Sequence, residues 1–206
     1  GGGWKDLGGL GVARIKAYWD RFRFGEKTGI DIPGEKSGML LTQEEWEKRF
    51  QRNWRVGNTY NIAIGQGDML VTPMRLVSFI GAIGNGGIME EPHVVAEVVS
   101  ASGERGNQHA PRIIADFSDL TNELRDVQQG MRDAVEKSYG TARALHDLAI
   151  TASGKTGSAQ IANNAKTNAF FVGYAPSEDP EIAILVLIED AKEGSLNTIP
   201  IAHDIL

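Results

Sequence analysis

The stretch Ser153-Gly154-Lys155-Thr156-Gly157-Ser158 concentrates a cation, hydroxyls and glycines within one short segment. Lys155 supplies fixed positive charge, which can hold a carboxylate or serve proton transfer. Thr156 and Ser158 supply hydroxyls that both donate and accept hydrogen bonds. Gly157 carries no side chain, so a second backbone can approach it closely. An extended peptide could pair with such a strand by β-augmentation. Gly-Lys-Thr also ends the phosphate-binding loop Gly-x-x-x-x-Gly-Lys-Thr. Here, however, Ala149 stands at that pattern's first glycine, and Gly157 with an expected hairpin follows in place of a helix. The plainest alternative is a lysine and hydroxyls on an exposed strand near a turn. A second copy of the tripeptide, Lys27-Thr28-Gly29, lies between turn signals and is expected to shape a loop.

Other chemistry is sparse. His93, His109, His146 and His203 show no ligand spacing, so no metal site is expected. The absence of cysteine excludes disulfides, thiolate metal sites and cysteine nucleophiles. With 21 Lys+Arg against 27 Asp+Glu, the net charge of −6 argues against nucleic acid as a partner. The longest strongly apolar run, Ile182 to Ile188, falls far short of the about 20 residues that a membrane span needs. Trp46 and Trp54 suit core or subdomain contacts better than a substrate platform.

The motif needs elements to hold it. Val12, Ile15, Trp19 and Phe22 recur at helical spacing, and the helix should stop near Gly25. Breakers crowd residues 25–41. Thr42 with Glu45 is a capping-box pattern, where Glu44 and Glu45 also favour the helix dipole. Residues 53–72 carry few helix signals. Thr72-Pro73 should cap a buried helix over Met74 to Ile83. His93 to Val99 and Arg112 to Ile114 are expected to be short strands. Leu120, Leu124, Val127, Met131 and Val135 mark an amphipathic helix ending near Tyr139-Gly140. Leu148 to Ala152, Ala169 to Tyr174 and Glu181 to Ile188 are three apolar runs with short connections, one of them at Asn163-Asn164. They should form antiparallel neighbouring strands.

LAITASGKTGSAQIANNAKTNAFFVGYAP (residues 148–176) resembles the third active-site motif of penicillin-binding proteins and its surrounding strands. GNTYNIAIGQGDMLVTPMRL (residues 57–76) resembles the segment before a buried helix in class B members. FGEKTGIDIPGE (residues 24–35) is similar to the elongation-type enzymes of that class, the penicillin-binding protein 2 type. EIAILVLIED (residues 181–190) and the helix start at Ile199 to Leu206 extend the resemblance over nearly the whole chain.

The resemblance implies an α/β (α+β) fold of the serine D,D-peptidase/β-lactamase type, an antiparallel sheet flanked by helices with a helical subdomain. Residues 1–206 would be the C-terminal part of one transpeptidase domain. Residues 1–147 would form a mainly helical and loop region, and 148–206 a three-strand sheet segment with the start of a C-terminal helix. The implied function is peptidoglycan D,D-transpeptidation through a serine acyl-enzyme. In that pattern Lys155 and Ser158 are catalytic, the Ser158 N–H being one oxyanion donor. Lys155, Thr156, Gly157 and Ser158 bind the substrate carboxylate end. Neither a metal nor an organic cofactor is implied. Implied partners are stem peptides, β-lactams, a membrane glycosyltransferase and elongation-machinery proteins. The implied location is the outer face of the bacterial cytoplasmic membrane, the periplasm, with an N-terminal helix as anchor.

The family's first two motifs, Ser-x-x-Lys and Ser-x-Asn, should precede Lys-Thr-Gly. No serine here has lysine three residues later, and the one Ser-x-Asn, Ser195-Leu196-Asn197, follows the third motif. It reads as a loop or helix entry. The chain is therefore expected to be an N-terminally truncated piece, inactive as given, whose nucleophile and membrane helix lie upstream. Two alternatives stay open. One is a D,D-carboxypeptidase or β-lactamase on the same fold. The other is a non-catalytic β-lactam-sensing or interaction domain.

Overall fold

The computed structural model describes residues 9–106, 110–161, 165–192 and 194–206. The expected turn at Asn163-Asn164 and His109 lie outside them. Helix α1 (Gly11–Arg21) delivers Phe22, whose ring packs 4.8 Å from Phe79 and 5.0 Å from Phe117. Helix α2 (Gln43–Phe50) begins with the expected capping box. Glu45 N–H donates to Thr42 Oγ1 at 3.2 Å, and Thr42 N–H donates to Glu45 Oε2 at 2.8 Å. It buries Trp46 edge-on to Trp54, with ring centres 5.2 Å apart, so both tryptophans serve packing.

Helix α3 (Val56–Ala63) falls where few helix signals stood. Helix α4 (Pro73–Gly84) follows Thr72, whose Oγ1 accepts from the Arg75 N–H at 3.3 Å, with proline in its first turn. It is buried as expected, yet it carries Arg75 into the core at 1% exposure. That guanidinium donates to the Lys27 carbonyl at 2.7 Å and lies 3.0 Å from Met89 Sδ. Strands β1 (Ile88–Glu90) and β2 (Ile113–Asp116) form a small antiparallel pair. Helix α5 (Thr121–Glu136) ends a few residues before Tyr139-Gly140.

The main sheet comprises β3 (Ser153–Ile161), β4 (Lys166–Ala175) and β5 (Ile182–Ile188), antiparallel in the order β3-β4-β5. Helix α6 (Ile199–Ile205) closes the chain. Alternation along the strands divides the core in two. Val172 and Tyr174 meet Ile80 and Ile83 of α4 and Leu124 and Met131 of α5. Phe171, Ile184 and Val186 face the other way, onto Val135, Leu145 and the α6 residues Ile199 and Ala202. The sheet thus has helices on both faces. No helix among the described residues is long and apolar enough to cross a membrane.

Two expected strands are absent. Leu148 to Ala152 is a bend followed by irregular chain, and the strand starts at Ser153. Thr151 is committed to side-chain bonding instead, since its Oγ1 accepts from the Ser177 N–H at 3.0 Å and pairs with Glu178. Across His93 to Val99 only Val99 pairs, as an isolated bridge with Arg105. The Asp31 carboxylate accepts the N–H groups of Val94 and Val95 at 2.8 and 2.9 Å, which replaces a partner strand there.

Candidate active site

Strand β3 lies at one edge of the main sheet, so one side of its backbone meets no strand among the described residues. Residue pairing fixes the directions of its side chains. Lys155 stands opposite Val172 and shares that face, whereas Thr156 and Ser158 stand opposite Phe171 and Ala169 on the other. Lys155 is exposed and makes no ion pair among the described residues; its Nζ folds back to donate to the Thr156 carbonyl. Thr156 is 6% exposed and donates from Oγ1 to Thr141 Oγ1 at 2.8 Å. Ser158 is exposed. The Thr156 hydroxyl is thus engaged inward, and the Ser158 hydroxyl is the one open to a ligand.

The backbone at Ser158 points outward. Its carbonyl accepts from Gln66 Nε2 at 3.0 Å, across the free edge. In an antiparallel strand the N–H and C=O of one residue point to the same side. The Ser158 N–H therefore faces the same edge, where it can donate to an incoming oxygen.

Local sequence explains how this edge is held. Gly154 and Gly173 are direct partners across β3 and β4, and the Phe171 ring fits over both. A Cβ at Gly140 would press on the Ala134 carbonyl and lie 2.6 Å from its carbon. That close turn after α5 brings Thr141 to Thr156. Ser153 Oγ lies 2.9 Å from Ser177 Oγ and anchors the start of the strand.

The second Lys-Thr-Gly is structural. Thr28 is 2% exposed, and its N–H and Oγ1 both donate to Glu35 Oε1 at 2.6 Å. Gly29 adopts φ 90°, and a side chain there would run into the Glu91 carboxylate. Burial pushes the Glu35 carboxyl up, but the Thr28 and Gly29 hydrogen bonds and the Arg75 charge outweigh it, and it sits below the usual range. Ser195-Leu196-Asn197 belongs to a 3₁₀ turn, Gly194–Asn197, that enters α6 and packs against β3 and β4.

Sequence reasoning brought Lys155, Thr156, Gly157 and Ser158 to one strand and missed Gln66 and Thr141. The signal for Gln66 was its place between two glycines. For Thr141 it was the helix stop at Gly140 one residue before.

The chain matches the model of the penicillin-binding protein transpeptidase domain over residues 8–206. It is 30% identical over 200 residues to the peptidoglycan D,D-transpeptidase MrdA of Acinetobacter baumannii, covering 90% of this chain and 29% of that protein. With the MrdA of Haemophilus influenzae the identity is 29% over 212 residues, covering 96% and 32%. The chain thus spans about a third of the length of these relatives. The crystal structure of Pseudomonas aeruginosa PBP2 in complex with WCK 5153 superposes with a TM-score of 0.75 at 29% identity, over 95% of this chain and 43% of that one. The complex of PBP2 and MreC from Helicobacter pylori gives 0.75 at 28%, over 94% and 36%. With the mixed fold, the edge strand and its motif in place, the chain belongs to the penicillin-binding protein transpeptidase family, in its PBP2 (MrdA) branch.

Proposed function

We propose that this chain forms the oxyanion and carboxylate-binding side of a peptidoglycan D,D-transpeptidase, completed by a serine nucleophile outside the sequence. The observation that carries the reading is the outer edge of β3, which meets no strand among the described residues and along which the backbone of Ser158 points outward, three residues after Lys155. A serine oxygen attacks the carbonyl of the penultimate D-Ala of a stem peptide. The Ser158 N–H donates to the oxyanion, the C–N bond to the terminal D-Ala breaks, and that residue leaves as an amine after taking up a proton. The amine of a second stem then attacks the ester, gives up its proton, and releases the serine. Lys155 supplies the positive field for the substrate carboxylate, the Ser158 hydroxyl hydrogen-bonds it, and Gly157 leaves room for the peptide backbone. Thr156 holds the strand from beneath.

β-Lactams would acylate the same serine. The resemblance to MrdA proteins supports a place outside the cytoplasmic membrane, with an anchoring helix elsewhere in the polypeptide and a membrane glycosyltransferase as partner. The complex of the Helicobacter pylori relative with MreC supports elongation-machinery partners.

The test compares the two lysines of the repeated tripeptide in the full-length protein. Lys155→Ala should slow acylation by labelled benzylpenicillin by roughly 10²–10³, the scale of losing one preorganised electrostatic contact. Lys27→Ala should leave the rate within about twofold of wild type, since only the Lys27 main chain bonds to Arg75. Equal behaviour of the two variants, with matching circular dichroism, would show that the reading is wrong.

A further inference from the structure

The free edge of β3 is already occupied at one point, by the Gln66 amide on the Ser158 carbonyl. Gln66 is braced for that position. It lies between Gly65 at φ 74° and Gly67 at φ 84°, left-handed conformations that suit glycine. Its own N–H donates to the Asn61 carbonyl at 2.9 Å, which ties the loop to α3. Two residues on, Asp68 accepts from Trp46 Nε1 at 2.8 Å, which ties it to α2. The side chain thus reaches β3 from a supported loop.

A peptide residue docked antiparallel at Ser158 would make two hydrogen bonds there: its N–H to the Ser158 carbonyl and its C=O from the Ser158 N–H. The residue whose carbonyl reacts therefore also presents its own amide N–H to the oxygen that Gln66 now holds.

We propose that Gln66 is a specificity-determining residue that stands in for the substrate's backbone amide in the free enzyme and yields to it on binding. This rests on the transpeptidase reading above. A ligand with an amide N–H on the reacting residue exchanges one bond for another at Ser158. A ligand without that N–H leaves Gln66 in place. Deleting the Gln66 donor removes a competitor for the first class and changes nothing for the second.

In the full-length protein, second-order acylation rates would be measured for wild type, Gln66→Ala and Gln66→Met with two probes. Benzylpenicillin carries an acylamino N–H beside its lactam carbonyl; meropenem has none. Gln66→Met keeps the length of the side chain without a donor, so it separates the lost bond from lost packing. Both variants should gain about fivefold with benzylpenicillin, the worth of one neutral hydrogen bond. With meropenem they should stay within about twofold of wild type. No gain with benzylpenicillin, a slower reaction, or an equal change with both drugs would overturn the role of Gln66. Lys155→Ala serves as the control. If it acylates like wild type, the transpeptidase reading fails; if it is slow and the Gln66 variants match wild type, only the present inference fails.

Discussion

A Cβ added to Gly154 would lie 2.5 Å from Cε2 and Cζ of Phe171, and 3.1 Å from the Val172 carbonyl oxygen. Phe171 is fully buried and wedged against Val135, Leu145 and Ile184, so its ring cannot retreat. Gly154→Ala should therefore cost about 3 kcal/mol, the upper end for overpacking. Three residues along, the same methyl at Gly157 would find only Phe170 Cβ, at an ordinary 3.8 Å. The fold itself has room for it. Gly157→Ala should leave stability within about 0.5 kcal/mol of wild type. Its methyl would stand where a docked peptide backbone must pass, so acylation should slow roughly tenfold or more. Urea titrations of both variants, with labelled-penicillin kinetics in the full-length protein, separate the two glycines. Normal acylation by Gly157→Ala would mean that no backbone comes close there.

At the scale of elements, helices with side-chain caps were the most legible. Thr42 with Glu45 and Thr72 with Pro73 satisfy orphan N–H groups by local chemistry that tertiary structure does not alter. Thr42→Ala should lower stability by about 1 kcal/mol, while Gln43→Ala next to it, outside the capping box, should cost about 0.5 kcal/mol or less. Equal losses in urea titrations would mean that the cap contributes nothing. Helix α3 starts without a hydroxyl cap; the Asn58 carboxamide oxygen accepts the Arg55 N–H at 3.0 Å, and asparagine and glycine give weak helix signals. Segment 93–99 failed in the opposite sense. Its valines resemble a strand, but a strand needs a partner, and the acceptor that replaces one, Asp31, lies about sixty residues away in sequence. The start of β3 was misplaced for a related reason. Periodicity marked the apolar run Leu148 to Ala152, whereas the chain pairs through its polar, glycine-rich motif. The Lys-Thr-Gly strand was readable from residue types. Gln66 and Thr141 were not, because each acts only through a contact made by distant chain.

Among the described residues, the carboxylates held below their usual range are bound mainly by donors of the main chain and by hydroxyls. The N–H groups of Val94 and Val95 hold Asp31 below the usual range, Thr42 does so for Glu45, and Ser118 for Asp116. The Thr151 hydroxyl lowers Glu178, and the hydrogen bonds of Thr28 and Gly29 lower Glu35 against the opposing effect of burial. Each group has a folded pKa below its unfolded one, so near that range the unfolded chain binds more protons and stability rises with pH. The stabilisation is complete above the unfolded values of about 3.9 for Asp and 4.3 for Glu, and is lost as pH falls through the lower folded values. Urea midpoints should therefore be flat from neutral pH to about pH 5 and fall steeply below about pH 4. A second effect has the same direction. Protonating the 27 acidic residues leaves 21 Lys and Arg and 4 His unbalanced, and the cationic chain repels itself. Salt separates the two. At about 1 M the screening length shrinks to about 3 Å, which removes repulsion between surface charges but leaves contacts at hydrogen-bond distance. The acid limb should persist in high salt, and it should be shallower in Glu35→Gln, which no longer titrates at the Thr28–Gly29 loop. An acid limb that vanishes in 1 M salt would assign the loss to net charge and leave the bound carboxylates without effect on stability.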